Sequence, residues 1–113
     1  MNDPITGNTL RWTYLDGPTR GKTFEHAFAK DGTVTYRMVN GGDGKAGATQ
    51  REKKQPSQYK VEKIKDDVFA VSYLSPDSGY TLTSILDASA GTVVSFASNE
   101  TNMVVQHGTF DRT

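Results

Sequence analysis

Apolar and polar residues alternate with the period of a strand along most of this 113-residue chain, and the period of a helix is nearly absent. Thr9–Leu15 sets Leu10, Trp12 and Tyr14 against Thr9, Arg11 and Thr13. Lys22–Ala29 sets Phe24, His26 and Phe28 against Thr23, Glu25 and Ala27. Lys30-Asp31-Gly32 follows, and Asp-Gly between alternating runs signals a hairpin because Gly accepts a positive φ. Thr33–Val39 then returns with Val34, Tyr36 and Met38 on one face. After a long irregular stretch over Asn40–Ser57, four more links of the pattern follow: Gln58–Lys65, Val68–Leu74, Tyr80–Leu86 and Thr92–Ser98. Met103–Phe110 ends the series. Turn residues such as Asp66-Asp67 and Asp87-Ala88-Ser89-Ala90-Gly91 separate the runs.

The pattern predicts about eight short strands in sequence. Short links make neighbours antiparallel. A meander of this size exposes its edges unless it closes. The expectation is an all-β, eight-stranded antiparallel up-and-down barrel, with an open or sandwiched sheet as the competing arrangement. The inward face of the last two runs stays open. Val93 goes with Ser95 and Ala97, and Val94 with Phe96; Met103 goes with Val105 and His107, and Val104 with Gln106 and Phe110. Apolar residues on both faces suggest a second buried surface, such as a homodimer interface.

Composition narrows this picture. The length fits one domain over residues 1–113. Thirteen Lys+Arg balance 13 Asp+Glu, without the basic excess of a dedicated nucleic-acid binder. No run is long enough to span a membrane. With no cysteine, thiol catalysis and thiolate metal sites are excluded. Met1-Asn2-Asp3-Pro4 shows no signal-peptide pattern, so the expected location is cytoplasmic. The balance hides a basic segment, Lys45–Lys65, which is either a solvated edge or a rim that attracts acidic ligands. Gly42-x-Gly44-x-x-Gly47 copies a dinucleotide fingerprint, but the expected neighbours are antiparallel strands and no apolar helix follows.

The candidate chemistry lies in aromatic and imidazole groups. His26 sits between Phe24 and Phe28 on an apolar face, where it is either a satisfied core residue or a candidate general acid/base. His107 is a candidate to share the interior, but two histidines make a weak metal signal, and neither a metal nor a cofactor is expected. By strand parity Trp12, Tyr14, Tyr36, Tyr73 and Tyr80 can point inward with His26 and His107 as ligand-binding candidates.

Several stretches carry a family resemblance: Gly7-Asn8-Thr9-Leu10-Arg11-Trp12, Gly21–Phe28, Asp31–Arg37, Val68–Leu74, Ser78–Thr83, Thr92–Phe96 and Gln106-His107-Gly108-Thr109-Phe110. The chain resembles the MoaF-like family, which is named for an association with molybdenum-cofactor biosynthesis. The resemblance implies a small lipocalin-like (calycin) barrel and adds little mechanism. The chain is more distantly similar to phenolic acid decarboxylases, cofactor-free barrels of the same kind. There Tyr14 of Trp12-Thr13-Tyr14 matches one tyrosine, while Trp12 replaces another. Ser75 of Tyr73-Leu74-Ser75-Pro76 stands where an acid is expected, and Arg51 is the only arginine in the glycine-rich segment. The missing acid and tyrosine argue against that decarboxylation.

The leading expectation is a binding protein for a small hydrophobic or aromatic molecule in a tyrosine-lined cavity. The alternatives are a cofactor-independent lyase or isomerase using His26 with Tyr14 or Tyr36, and a dimeric interaction module.

Overall fold

A computed structural model of the chain describes residues 3–39, 57–75 and 79–112. It contains eight strands: β1 (Thr9–Tyr14), β2 (Thr23–Phe28), β3 (Thr33–Met38), β4 (Ser57–Lys65), β5 (Val68–Ser75), β6 (Tyr80–Asp87), β7 (Thr92–Ser98) and β8 (Met103–Arg112). They close in chain order into an antiparallel barrel, with β8 returning to β1. The all-β class, the strand count and the barrel closure expected from the alternation are those observed, as is the lipocalin-like form that the resemblance implies. The glycine-rich segment and Arg51 lie outside the described residues.

Local chemistry explains the turns. The Asp31 carboxylate accepts from Thr33 N–H and Thr33 Oγ1 at 3.0 and 2.7 Å, and Gly32 adopts a φ of 94°. This fixes the β2–β3 hairpin register.

The closing seam depends on a different glycine. Gly108 on β8 pairs with Tyr14 on β1, and a Cβ built there would run into the Thr13 carbonyl.

One end of the barrel is packed with Leu10, Phe28, Val34, Phe69, Leu86 and Val93. Ile5 is fully buried among them. Asp3 holds that residue in a turn by accepting from Ile5 N–H and Thr6 N–H.

The two halves of the outer wall differ. On β1–β3, Glu25 is bound by both Arg11 and Arg37 at 2.8 and 2.7 Å. On β5–β8 the outward rows run Leu74–Thr81–Ser98–Met103, Ser72–Thr83–Phe96–Val105 and Ala70–Ile85–Val94–His107. His107 is the only titratable side chain in them, and Leu74, Phe96, Met103 and Val105 are exposed.

This settles the inward face of the last strands. Val93, Ser95 and Ala97 face in from β7, and Val104, Gln106 and Phe110 from β8. The bulkier Phe96 faces out because Ser95 has buried hydrogen-bond partners that an outward position would lack.

Among the described residues no helix is long and apolar enough to cross a membrane.

Candidate functional site

At the end opposite Ile5 a pocket of about 350 Å³ opens into the barrel. Tyr14 comes from the end of β1 and Phe24 and His26 from β2. Tyr36, Tyr73, Ser75, Tyr80 and Leu82 line the side formed by β3, β5 and β6. Ala97, Val104 and Gln106 complete the wall from β7 and β8. Pro18 and Thr19, in the link between β1 and β2, reach over the mouth.

His26 forms part of the deep wall. It is 2% exposed, and its ring stacks on Trp12 with centroids 4.1 Å apart. Phe28 and Tyr36 stack at 5.8 and 5.6 Å. Nε2 lies 2.8 Å from the Tyr73 hydroxyl, and Nδ1 has no partner among the described residues. Burial disfavours the imidazolium and lowers the pKa from 6.5 to about 3, so the ring is neutral at pH 7. Burial likewise raises Tyr73 well above the ordinary phenol value, reinforced by the Tyr36 and Tyr14 phenols. A neutral ring with one proton serves Tyr73 through Nε2 and leaves Nδ1 as an unsatisfied donor or acceptor.

A second polar chain crosses the core. Trp12 Nε1 donates to the Tyr14 hydroxyl at 2.9 Å, and Tyr14 donates to Ser95 at 2.8 Å. Ser95 and Ser84 lie 2.7 Å apart. Burial raises the Tyr14 pKa, opposed by its bonds to Ser95 and Trp12. The Tyr14 and Tyr73 phenols are therefore satisfied by a serine and an imidazole.

The mouth is organised by Gln106. Its Oε1 accepts from Thr19 N–H at 2.8 Å and from Thr19 Oγ1 at 2.7 Å. Gly17, at φ 81°, lies where any Cβ would collide with the Gln106 side chain.

Of the residues singled out from the sequence, Tyr14, His26, Tyr36, Tyr73 and Tyr80 meet at the pocket. Trp12 is fully buried behind His26 and does not line it. His107 is outside, against expectation: its parity with Met103 and Val105 turns it outward, where Nδ1 meets the Asp16 carboxylate at 3.0 Å. The two histidines therefore cannot share a ligand. Among the described residues no group of three His, Asp or Glu side chains is placed to hold a metal ion.

Sequence reasoning missed Phe24, Ser75, Leu82 and Gln106 as pocket residues. Strand parity with His26, Tyr73 and Tyr80 was the available signal for the first three, while the face of Gln106 stayed open with the rest of β8. Pro18 and Thr19 gave none, because a turn residue has no strand face.

A family model described as MoaF-like matches residues 6–111. The chain belongs to the MoaF-like family. No curated protein matches it. A crystal structure of a protein from Burkholderia vietnamiensis, described provisionally as a beta-lactamase, superposes with a TM-score of 0.74. The match covers 100% of this chain and 99% of that one at 22% identity, which carries the fold alone.

This MoaF-like chain does contain Ser57-Gln58-Tyr59-Lys60, the Ser-x-x-Lys spacing of serine beta-lactamases. In β4, however, Tyr59 is buried and Lys60 exposed, so Ser57 and Lys60 project from opposite faces. A nucleophile and its lysine must converge, and here they cannot.

Proposed function

We propose that this MoaF-like barrel binds a small aromatic or hydrophobic molecule in its open-ended pocket. The carrying observation is the meeting of Tyr14, Tyr36, Tyr73 and His26 on the walls of one pocket of about 350 Å³. Apolar walls with a few converging polar groups are the usual form of a small-molecule site, and this volume is at the lower end of their range.

A lyase or isomerase with His26 as general acid or base is the weaker reading. An imidazole with a pKa of about 3 is almost never imidazolium at pH 7, so it is a poor general acid, and it is a weak base.

The test combines native mass spectrometry of the purified protein with titration of small phenols and their ethers. Trp12 is the single tryptophan and stacks on His26, so its fluorescence reports on the wall. Saturable quenching that disappears in Ala97→Phe, which fills the pocket, supports the reading. Absence of both an adduct and a saturable response rejects it, as does unchanged affinity in the filled variant.

The outer wall supports a second reading, self-association of this chain through β5–β8. The rows Leu74–Thr81–Ser98–Met103 and Ser72–Thr83–Phe96–Val105 can meet a second copy without burying a carboxylate or an ammonium. Four strands about 4.8 Å apart make a patch smaller than the roughly 800 Å² per partner of stable complexes. The expected dimer is therefore weak. Sedimentation should show a concentration-dependent dimer that Phe96→Glu abolishes; a monomer at all concentrations rejects it.

A further inference from the structure

We propose that the pocket takes its ligand only as the uncharged species, so an ionisable ligand binds in its protonated, neutral form. This deepens the proposed binding function and rests on it. The described lining residues include no Asp, Glu, Lys or Arg. Among the described residues, the charges on the strand segments around the pocket point outward. Arg11, Glu25 and Arg37 pair with one another on the outer wall. Asp16 is bound to His107 outside β8, and Lys60 is exposed on the outer face of β4.

An ion entering such a pocket gives up its water without gaining a counter-charge, which disfavours its entry. Wall hydroxyls could replace part of that water, but their hydrogen bonds are largely committed. The Tyr14 proton goes to Ser95, and the Tyr73 hydroxyl is engaged with His26. Tyr36 is the loosest, 3.5 Å from Ser75 Oγ. It is the group best placed to meet one neutral polar atom of a ligand.

The wall's own titrations reinforce the geometry. His26 is held neutral, and Tyr14 and Tyr73 resist ionisation because of their burial. No charge that could receive an ion appears on these groups near neutral pH.

The experiment uses 4-nitrophenol, which ionises close to neutrality, and 4-nitroanisole, its non-ionisable methyl ether. Equilibrium dialysis on either side of the 4-nitrophenol pKa measures both. The ether should bind equally at both pH values. The phenol should weaken about tenfold for each pH unit above its own pKa, because only the neutral fraction binds. Phenolate binding as tightly as the phenol overturns this inference and leaves the binding function standing. Failure of both probes to bind at either pH rejects the binding function and the inference with it. Binding that survives Ala97→Phe lies outside the pocket and also overturns the inference.

Discussion

His26 Nε2 and the Tyr73 hydroxyl lie 2.8 Å apart across the deep wall of the pocket, joining β2 to β5 through the barrel interior. The bond places an imidazole where water does not reach it. Trp12 covers one side of the ring, so the charged form has neither solvent nor a carboxylate to stabilise it. A group in that position couples the fold to pH.

The first prediction follows from that coupling. The His26 pKa is about 3 in the folded protein against 6.5 in the unfolded chain. Between these values the unfolded chain binds a proton that the folded protein does not. Stability is therefore complete above about 6.5 and falls as pH drops toward 3, by about 4–5 kcal/mol across the window. Asp16, Glu25, Asp31 and Asp87, whose pKa values hydrogen bonding lowers, lose their contributions only below the usual carboxylate range. Urea midpoints between about pH 7 and pH 5 thus separate His26 from these carboxylates. Wild type should lose stability over that interval, and His26→Leu should be nearly flat. Equal slopes for the two proteins would refute the assignment.

The second prediction concerns Tyr14. Its oxygen accepts from Trp12 Nε1, and its proton goes to Ser95. Tyr14→Phe keeps the ring and removes both bonds, leaving a buried indole N–H without an acceptor. The expected loss is about 1–3 kcal/mol in urea unfolding, with a shift in Trp12 emission. An unchanged midpoint would mean that the chain of hydroxyls contributes nothing to the core.

The strands were legible because local and global signals agree. Asp31-Gly32 announces its hairpin with residues that also make the turn's hydrogen bonds, and Leu10, Trp12 and Tyr14 alternate in one short run. The faces of β7 and β8 were not legible. Ser95 turns inward for Tyr14, which is 81 residues away in sequence, and Gln106 for Thr19, 87 residues away. Hydrophobicity alone would bury Phe96 instead. His107 was misplaced for the same reason, since it belongs to an apolar row that faces outward. The candidate site was visible as a set of aromatic residues. Its mouth was not, because Pro18 and Thr19 lie in a turn.

The third prediction tests barrel closure. Gly108→Ala would push a methyl group into the Thr13 carbonyl, and backbone on both strands must move to relieve it. Overpacking of this kind costs about 1–3 kcal/mol. Gly108 has no positive φ, so the loss comes from the close approach of β1 and β8. Gly91→Ala is the contrast: it has φ 73° but no contact closer than 3.8 Å, so its cost comes from backbone conformation. Hydrogen exchange should quicken at the β1–β8 seam in Gly108→Ala and stay local to the β6–β7 turn in Gly91→Ala. Identical exchange patterns would reject the seam argument.

The last prediction concerns the link over the mouth. Asp16 accepts from the His107 backbone N–H at 2.8 Å and meets Nδ1 at 3.0 Å. The backbone bond is the main cause of its lowered pKa. Thr19 is held separately through Gln106 Oε1. Gly17, at φ 81°, lies between these ties and Gly21, at φ 83°, lies just beyond Thr19, so the link can turn sharply at both. Asp16→Ala removes the outer tie, and Gln106→Ala removes the inner one. Each should speed amide exchange at its former donor, His107 or Thr19, while core amides such as Val93 keep their protection. The Asp16 tie is exposed, so its effect on global stability should be small. Gln106 is buried and meets Thr19 by two bonds, so Gln106→Ala should have the larger effect on exchange and on stability. If Asp16→Ala proves the more disruptive, the mouth is held from outside by the carboxylate, and the assigned order of the two ties is wrong.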